Sequence, residues 1–375
     1  MTTPVLFIDN NQQLADYCRK LAGRDVIALD TEFYRVKTFY AEAGLFQIND
    51  GDTIALVDPL VIDDWRPLLD VLHSHKTVKV LHACDEDIEL FYHFLQARPV
   101  AVFDTQIAAA LCGYDFSLSY QRLVQQLLGI EVAKGHSRSD WMQRPLSEEQ
   151  LRYAADDVRY LLPVYSLLQQ QIQQEDKLAI LEDEYQATLA NIASDDYSDA
   201  WQRIKDGWKL NALQFARLKK LATWREQMMR EKNLPRNRLA RNEALLALAM
   251  QSNWNKHQLF AVDGLPAATI KHHGEELLAM LEDINCGSGY TEQMPKPARP
   301  DPLLGRIRHE LAAEAKKIRI APELLSKKLF VQALYQYLQI SDSEQSDTLP
   351  EQISGWRRDF YQRVASTIQN GSSLA

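Results

Sequence analysis

The pattern of apolar residues changes near residue 175, and this change limits the folds that the chain can adopt. Before it, short apolar runs rich in branched residues alternate with helical periodicity; after it, helical periodicity continues without strand-like runs. Strand and helix side chains repeat with different periods, so the two patterns predict different architectures. The sequence therefore predicts an α/β domain followed by all-helical segments.

Four short apolar runs in the first half are typical of buried strands. They cover residues 26–30, 45–48, 54–57 and 78–82. Helical patterns cover residues 85–96, 104–111, 120–127 and 148–173, and Ser147 with Gln150 matches a capping box at the start of the last one. Three closely spaced strands followed by helix-linked strands predict a mixed sheet.

The helical half divides at a segment rich in glycine and proline. Gly287, Gly289 and several prolines between residues 286 and 302 predict a linker between two helical segments of similar size. We therefore predict three domains, an α/β domain over 1–200 and two small all-α modules over 205–285 and 300–370.

Charge is distributed unequally between the same halves. Residues 1–200 contain 16 basic and 32 acidic side chains, whereas residues 201–375 contain 26 and 19. Such asymmetry is a hint of a nucleic-acid partner, although two solvated surfaces of different sign would give the same counts.

Cysteine usage and the N-terminal residues indicate the cytoplasm. The four cysteines are scattered without a CxxC pair, which disfavours a disulfide scaffold or a structural zinc site. The N-terminal residues show no secretory signal, and no apolar run is long enough to span a membrane. We predict a cytoplasmic protein without a membrane partner.

Acidic residues occur at three separate positions that suit metal chemistry. Asp30 and Glu32 end a predicted strand and point to one face because they are two residues apart. Two such carboxylates repel each other unless a cation lies between them, although acids at strand ends also often face water. In the segment HACDEDI, Asp87 lies on the inward face of a predicted helix, and Tyr153 and Asp157 share a face of another.

These oxygen ligands favour Mg²⁺ or Mn²⁺ over zinc, which prefers nitrogen and sulfur. Two such ions held by shared carboxylates suit in-line displacement at phosphorus. Spacing along the chain does not establish that the three positions converge, because convergence depends on the fold.

Three motifs, in this order, resemble those of a known superfamily. DTEF, HACDEDIE and YAADD are similar to the exonuclease motifs of the DEDD superfamily, in the subclass whose third motif contains tyrosine. The segments GLFQI, LVDPL, FDTQIAA and SDWMQRPL, with the helical modules, resemble the bacterial ribonuclease D family over nearly the whole chain. The resemblance implies a ribonuclease H-like α/β exonuclease domain with a mixed sheet, followed by two small all-α modules.

The resemblance also implies roles for individual residues. Asp30 matches the acid that bridges two metal ions, and Glu32 matches the glutamate that supports one ion and contacts the terminal 3′-hydroxyl. Asp87 matches the aspartate that holds the second ion directly or through water. Asp157 matches a ligand of the nucleophile-side ion, and Tyr153 matches the tyrosine that orients the attacking water.

Neighbouring polar residues leave the register of two motifs open. Asp85 competes with Asp87, and Asp156 competes with Asp157. The Tyr-x-x-x-Asp spacing favours Asp157, and the isoleucine and glutamate that follow Asp87 favour that residue. We predict structural roles for two more residues: His82 in a core hydrogen bond near the site and Asp104 as a helix cap.

The helical modules resemble the domain shared by helicases and ribonuclease D, more closely over 208–280 than over 300–370. Such modules are auxiliary nucleic-acid binders in that family, and basic residues concentrate between 217 and 241. We predict phosphate contacts without base specificity, although a solvated helix face would look the same. The RNA-binding candidates are Arg217, Lys219, Lys220 and Arg225, with Phe33 either stacking on the terminal base or simply packing.

Together these features predict a 3′→5′ exoribonuclease that trims the 3′ trailers of transfer-RNA precursors and other small structured RNAs. The RNA and transfer-RNA parts come from the resemblance alone. A proofreading-type DNA exonuclease and a non-catalytic RNA-binding protein are the alternatives; the complete set of acids and the tyrosine disfavours the second. Since every candidate ligand precedes residue 160, we expect residues 201–375 to be dispensable for chemistry. We expect a monomer.

Overall fold

The strand-rich first half and the final helices of the chain fold together. The computed structural model describes residues 3–133, 135, 139–251, 253–294, 301–339 and 348–372. Contacts divide the chain into a first unit (Met1–Tyr34, Ala43–Ile192 and Pro300–Ala375) and a second unit (Arg35–Glu42 and Ala193–Arg299). Over the described ranges, no helix combines the length and apolarity needed to cross a membrane.

A six-stranded mixed sheet forms the centre of the first unit, as predicted. Its strands are β1 (Val5–Ile8), β2 (Val26–Tyr34), β3 (Glu42–Asn49), β4 (Ile54–Val57), β5 (Val78–Leu81) and β6 (Val102–Asp104), in the order β1-β4-β3-β2-β5-β6. β1 is parallel to β4, β5 is parallel to β2 and β6, and β3 is antiparallel to β4. The four predicted strands are confirmed. β1 and β6 were missed because β6 has three residues and three of the four β1 side chains are exposed.

Eight helices accompany the strands in the described part of residues 3–193. They are α1 (Asn11–Leu21), α2 (Arg66–Leu72), α3 (Asp85–Phe94), α4 (Thr105–Leu111), α5 (Tyr120–Leu128), α6 (Glu148–Arg159), α7 (Leu161–Gln174) and α8 (Leu178–Ala193). The predicted capping box of Ser147 and Gln150 is confirmed at the start of α6.

The single helix predicted over 148–173 is wrong, because α6 ends and α7 begins around Tyr160. Pro163 lacks the N–H group that a continuous helix would donate to the carbonyl of Arg159. The Asn49 side chain provides a hydrogen bond at the end of α6, because its Nδ2 donates to the carbonyl oxygen of Val158 at 2.9 Å. The break separates the residues of the third motif from the rest of the predicted helix.

The second unit is helical. It contains α9 (Ala212–Glu231), α10 (Arg236–Leu239), α11 (Asn242–Met250), α12 (Lys256–Leu259) and α13 (Ala267–Cys286). Its apolar core includes Phe215, Leu218, Leu245, Leu248 and Leu277. The β2–β3 connection belongs to this unit, and the Asn233 side chain accepts the backbone N–H groups of Phe39 and Tyr40 at 2.9 and 2.8 Å.

The last helices share a core with the first half of the chain. They are α14 (Pro302–Lys317), α15 (Pro322–Leu325), α16 (Lys328–Gln339) and α17 (Arg358–Ser372). One apolar cluster contains residues from both parts, among them Ala108, Leu111, Leu168, Ile307, Leu311, Leu324, Leu334 and Tyr361. The backbone N–H of Ala321 also donates to the carbonyl of Ala110 at 2.8 Å. Residues 300–370 are therefore not a separate compact unit.

A buried ionic network joins the same two parts. Glu184 on α8 accepts hydrogen bonds from Lys327 Nζ at 2.7 Å and Trp356 Nε1 at 3.0 Å, and it pairs with Arg357 at 2.6 Å. Burial alone would raise the pKa of Glu184, but these partners lower it to about 2. The carboxylate therefore stays charged inside the folded first unit at neutral pH.

Candidate metal centre and active site

Two carboxylates project from the central strand β2. Asp30 and Glu32 flank Thr31, and alternation along the strand directs both acids to one face. Glu32 and Thr31 are buried, and Asp30 is half-buried. The strand therefore presents two acids with little access to bulk water.

Helix α6 brings the third motif to the same place. One carboxylate oxygen from each of Asp30, Glu32 and Asp157 lies within 4.8 Å of the other two. Among the described residues, this is the one group of three or more acidic, histidine or cysteine side chains close enough to share a metal ion. Tyr153, one helical turn before Asp157, donates a hydrogen bond to the Asp157 carboxylate.

The ring of Tyr153 packs in a fixed setting. Its centroid lies 6.2 Å from that of Trp141, which is fully buried. A Cβ on Gly44 would come within 2.6 Å of Trp141 Cβ, so only glycine allows the two segments to approach so closely. Arg144 anchors the segment of Trp141 through two 2.6 Å hydrogen bonds to Asp58. The tyrosine hydroxyl is thus held at Asp157.

Asp87 lies beside this cluster, in the first turn of α3. Thr31, between the two acids of β2, donates its hydroxyl to Asp87 Oδ1 at 2.5 Å. Burial and the negative charge of Asp30 raise the pKa of Asp87 well above its usual value. All four acids of the three motifs therefore interact in one region of the first unit.

Burial and mutual repulsion raise the pKa of every acid in this region. The pKa of Asp30 is raised mainly by burial and further by the negative charge of Asp157. The pKa of Glu32 is raised to about 10, mainly by burial and further by the negative charges of Asp30, Asp157 and Asp87. Burial also raises the pKa of Asp157 to about 7, although the hydrogen bond from Tyr153 opposes the shift. A divalent cation stabilises such carboxylates in their charged form, and an all-oxygen donor set fits this type of ion.

The competing acids have other partners. Asp85 accepts a hydrogen bond from the Thr188 hydroxyl at 3.0 Å, and Asp156 forms a half-buried ion pair with Arg159 at 2.7 Å. Neither belongs to the three-carboxylate group. Asp157 belongs to that group, and Asp87 accepts the Thr31 hydroxyl beside it, so this geometry favours Asp157 and Asp87 in the two motifs where the sequence leaves a choice.

His82 forms the core hydrogen bonds that the sequence analysis predicts. Its Nδ1 lies 2.9 Å from Thr105 Oγ1, and its Nε2 lies 3.1 Å from the carbonyl oxygen of Leu118. Burial lowers the pKa of His82, so the ring is neutral. Because Nε2 faces the carbonyl oxygen of Leu118, that nitrogen carries a proton and donates to it.

Asp104 does more than the helix cap that the sequence predicts. The cap is confirmed, because Asp104 Oδ1 accepts the N–H of Gln106 at 2.7 Å at the start of α4. The same carboxylate accepts the N–H groups of Ala83 and Cys84 at 3.1 and 3.0 Å. These residues lie about twenty positions away, so no local sequence signal reveals the second role.

Two of the predicted RNA-binding residues are buried in the second unit. Arg217 Nε donates to Asn285 Oδ1 at 2.8 Å, and Arg225 donates to the carbonyl oxygen of Ala240 at 3.1 Å. Arg217 is 2% exposed and Arg225 is fully buried. The prediction that these two arginines contact phosphate is wrong, because their buried guanidinium groups donate hydrogen bonds within the second unit.

The other three candidates are accessible. Lys220 is exposed, whereas half-buried Lys219 forms an ion pair with Glu292 at 2.8 Å. Both lysines line a cleft of about 620 Å³ in the second unit, together with Tyr290. Phe33 is half-buried and follows Glu32 on β2, and its contact with a terminal base stays a prediction.

Known proteins show the same combination of domains. A family model described as 3′-5′ exonuclease matches residues 5–173, and one described as HRDC domain matches residues 214–281. With the carboxylate cluster on a mixed sheet, these matches define a 3′→5′ exonuclease that carries an HRDC domain.

Full-length relatives give the family. The chain is 38% identical to ribonuclease D of Pseudomonas paraeruginosa over 100% of both proteins, and 35% identical to that of Escherichia coli over 97% of both. The crystal structure of Escherichia coli RNase D matches with a TM-score of 0.84 at 32% identity, covering 98% of this chain and 99% of that one. The chain belongs to the ribonuclease D family, and it is a 3′→5′ exoribonuclease that uses divalent metal.

Proposed function

We propose that this exoribonuclease trims the 3′ trailers of transfer-RNA precursors and other small structured RNAs, using two Mg²⁺ ions. The observation that carries the proposal is the meeting of the Asp30, Glu32 and Asp157 carboxylates within 4.8 Å, with Asp87 beside them. The Escherichia coli relative is described as an exoribonuclease involved in structured RNA processing, which supports the substrate class. Mn²⁺ is the alternative ion because it also prefers oxygen ligands.

We assign Asp30, Glu32, Asp87 and Asp157 as the residues that hold the ions. Asp30 would hold both ions, as the resemblance implies, and its charge raises the pKa values of Asp87 and Glu32. Glu32 also contacts the terminal 3′-hydroxyl. When bound, the ions supply charge stabilisation at phosphorus and lower the pKa of the attacking water. Tyr153 orients that water through its hydroxyl.

The test uses 3′-extended transfer RNA with Mg²⁺ and with chelator, with products resolved nucleotide by nucleotide. We expect stepwise shortening from the 3′ end that stops without metal. An unstructured RNA of equal length and a DNA of the same sequence are the matched substrates, because only RNA offers the 2′-hydroxyl. Equal rates on both RNAs would refute the preference for structured substrates. No metal-dependent hydrolysis of any RNA would refute the proposed mechanism.

Tyr153→Phe should lower turnover by ~10²–10⁴-fold and leave the Michaelis constant for RNA nearly unchanged. The Tyr153 hydroxyl donates a hydrogen bond to the Asp157 carboxylate. Because it lies at the metal-binding acids, we expect it to act on the attacking water more than on bound RNA. Tyr361→Phe is the matched control: it removes a buried hydroxyl that donates to the carbonyl oxygen of Leu325, among the C-terminal helices. The control should keep wild-type turnover. A raised Michaelis constant with normal turnover would make Tyr153 a binding residue.

We further propose a division of labour among the predicted segments. Residues 205–285 bind RNA, whereas residues 300–370 support the exonuclease domain of 1–200 through their shared core. A monomer in the cytoplasm is part of the proposal, and the described cysteines Cys18, Cys84 and Cys112 are free thiols, as suits that compartment.

Lys220→Gln should weaken binding of transfer RNA and flatten its salt dependence. Removing one phosphate contact on a single strand lowers the slope of log affinity against log salt by ~0.7. Lys220 is a better position for this test than Lys219, because the ammonium group of Lys219 already pairs with Glu292. Lys76→Gln makes the same charge change at an exposed position of the first unit and should leave the slope unchanged. Equal slopes for both variants would remove Lys220 from the RNA-binding surface.

A further inference from the structure

Helix α3, which carries Asp87, starts from an unusual turn. The chain leaves β5 at Leu81 and enters α3 at Asp85. Between them Ala83 has a φ of 56°, in the left-handed region that residues with a Cβ rarely adopt. Such a backbone conformation persists only where the surroundings enforce it. We therefore expect hydrogen bonds from outside the turn to stabilise it.

Asp104 provides these hydrogen bonds. Its Oδ1 accepts the N–H of Ala83 at 3.1 Å, and its Oδ2 accepts the N–H of Cys84 at 3.0 Å. Cys84 is the N-cap residue of α3, and its side chain makes no capping hydrogen bond to that helix. Asp104 is 7% exposed, so water offers little substitute for these two hydrogen bonds. The carboxylate thus determines where the first turn of α3 starts.

Asp87 lies three residues beyond this junction and is fixed from its other side by the Thr31 hydroxyl. We propose that Asp104 is a positioning residue for Asp87: by holding the Ala83–Cys84 turn, it sets the place of the second-motif carboxylate relative to the acids of β2. This inference rests on the proposed role of Asp87 as a metal ligand, and it adds a residue that contacts neither metal nor RNA.

The chemistry of the contact requires a carboxylate. Each oxygen of Asp104 accepts a different backbone N–H of the turn, and Oδ1 also caps α4. Asparagine has the same shape but only one oxygen, so Asp104→Asn leaves one buried N–H facing an amide donor. The turn should loosen while the cap of α4 survives. Losing an outer partner of a metal ligand typically costs ~10–100-fold in metal affinity.

The test compares wild type, Asp104→Asn and a matched control, Asp301→Asn, whose carboxylate caps α14 through the Leu303 N–H at 2.8 Å. Amide hydrogen exchange of residues 83–88 is measured on metal-free protein, and Mn²⁺ binding is followed by thermal shift and by turnover of an RNA oligomer. For Asp104→Asn we expect about tenfold faster exchange and about tenfold more Mn²⁺ for half-maximal effect. Turnover at saturating Mn²⁺ and the Michaelis constant for RNA should stay near wild type, and the control should match wild type throughout.

The double variant Ala83→Gly/Asp104→Asn separates positioning from simple destabilisation. Glycine adopts a φ of 56° without strain, so it should return most of the Mn²⁺ requirement to the wild-type value. It also carries the test if Asp104→Asn alone does not fold. Failure of both variants to fold, absence of rescue, or an unchanged Mn²⁺ requirement in folded Asp104→Asn would each overturn the positioning role. Loss of metal dependence in the wild type itself would instead overturn the proposed function.

Discussion

Asp30→Asn is expected to lower turnover of RNA by at least ~10³-fold, because several kcal/mol of transition-state stabilisation depend on the ions that this residue helps to hold. The fold should survive and become slightly more stable without metal. In the wild type, the carboxyl groups of Asp30, Glu32 and Asp157 lie within 4.8 Å of one another, and ionising them there costs free energy that a neutral amide at position 30 would reduce. Added Mg²⁺ should therefore stabilise the wild type clearly and the variant very little.

The measurement combines initial rates on an RNA oligomer with thermal unfolding, each with and without Mg²⁺. Asp156→Asn is the matched control, since it makes the same change one residue from Asp157 in a side chain that pairs with Arg159. The control should keep both its turnover and its stabilisation by Mg²⁺. Wild-type turnover of Asp30→Asn at the same Mg²⁺ concentration would remove Asp30 from the proposed metal centre.

Much of the proposed metal centre could be predicted because its signals are local. Asp30 and Glu32 share a face by alternation on one strand, and Tyr153 and Asp157 share a face by one helical turn. Neither rule shows that β2 and α6 meet. That step required the resemblance to a family, and the 4.8 Å cluster is the geometry that it implied.

The features that the sequence missed depend on partners far along the chain. Arg217 and Arg225 look like surface cations in a basic stretch, but each is buried and donates to an acceptor elsewhere in the second unit. The second role of Asp104 depends on the register of β5 and β6, which places Leu81 opposite Asp104 and so brings the following turn within reach. Periodicity reports which face of an element is apolar, and it does not report which element covers that face.

The C-terminal helices show the same limit with a larger consequence. Their position after a proline-rich linker predicts an appendage, and we expected the chemistry to survive without residues 201–375. Instead, α14–α17 contribute Ile307, Leu311, Leu324 and Tyr361 to the cluster that contains Ala108 and Leu168. Removing residues 301–375 would expose the apolar faces of helices in the first half. Each fully buried leucine or isoleucine contributes ~1.5–3 kcal/mol, and a domain has a net stability of only ~5–15 kcal/mol.

We therefore expect the chain that ends at residue 300 to be unable to fold its exonuclease unit, so that it has no nuclease activity and no cooperative thermal transition of that unit. Circular dichroism and tryptophan fluorescence during heating measure the transition. A truncated chain that unfolds cooperatively and keeps wild-type turnover on a short oligomer would show that the shared core is unnecessary. Truncation removes many contacts together, so a point variant is needed to test the interface in the intact chain.

Glu184→Gln tests the interface between α8 and the C-terminal helices, because it replaces one carboxylate oxygen by an amide nitrogen. It should lower the free energy of unfolding by ~3–5 kcal/mol at neutral pH, because it leaves Arg357 buried without its anion. Glu182→Gln on the exposed side of the same helix is the control and should change stability by less than ~0.5 kcal/mol.

The effect should also depend on pH in a defined direction. The pKa of Glu184 is about 2 in the folded protein, below the ordinary value of 4.5, so its contribution is complete above pH 4.5 and is lost as pH falls toward 2. The difference in stability between wild type and Glu184→Gln should therefore be constant from pH 7 to pH 5 and shrink below that range. A difference that stays constant down to pH 3, or one that is absent at pH 7, would mean that apolar burial alone joins the C-terminal helices to the exonuclease fold.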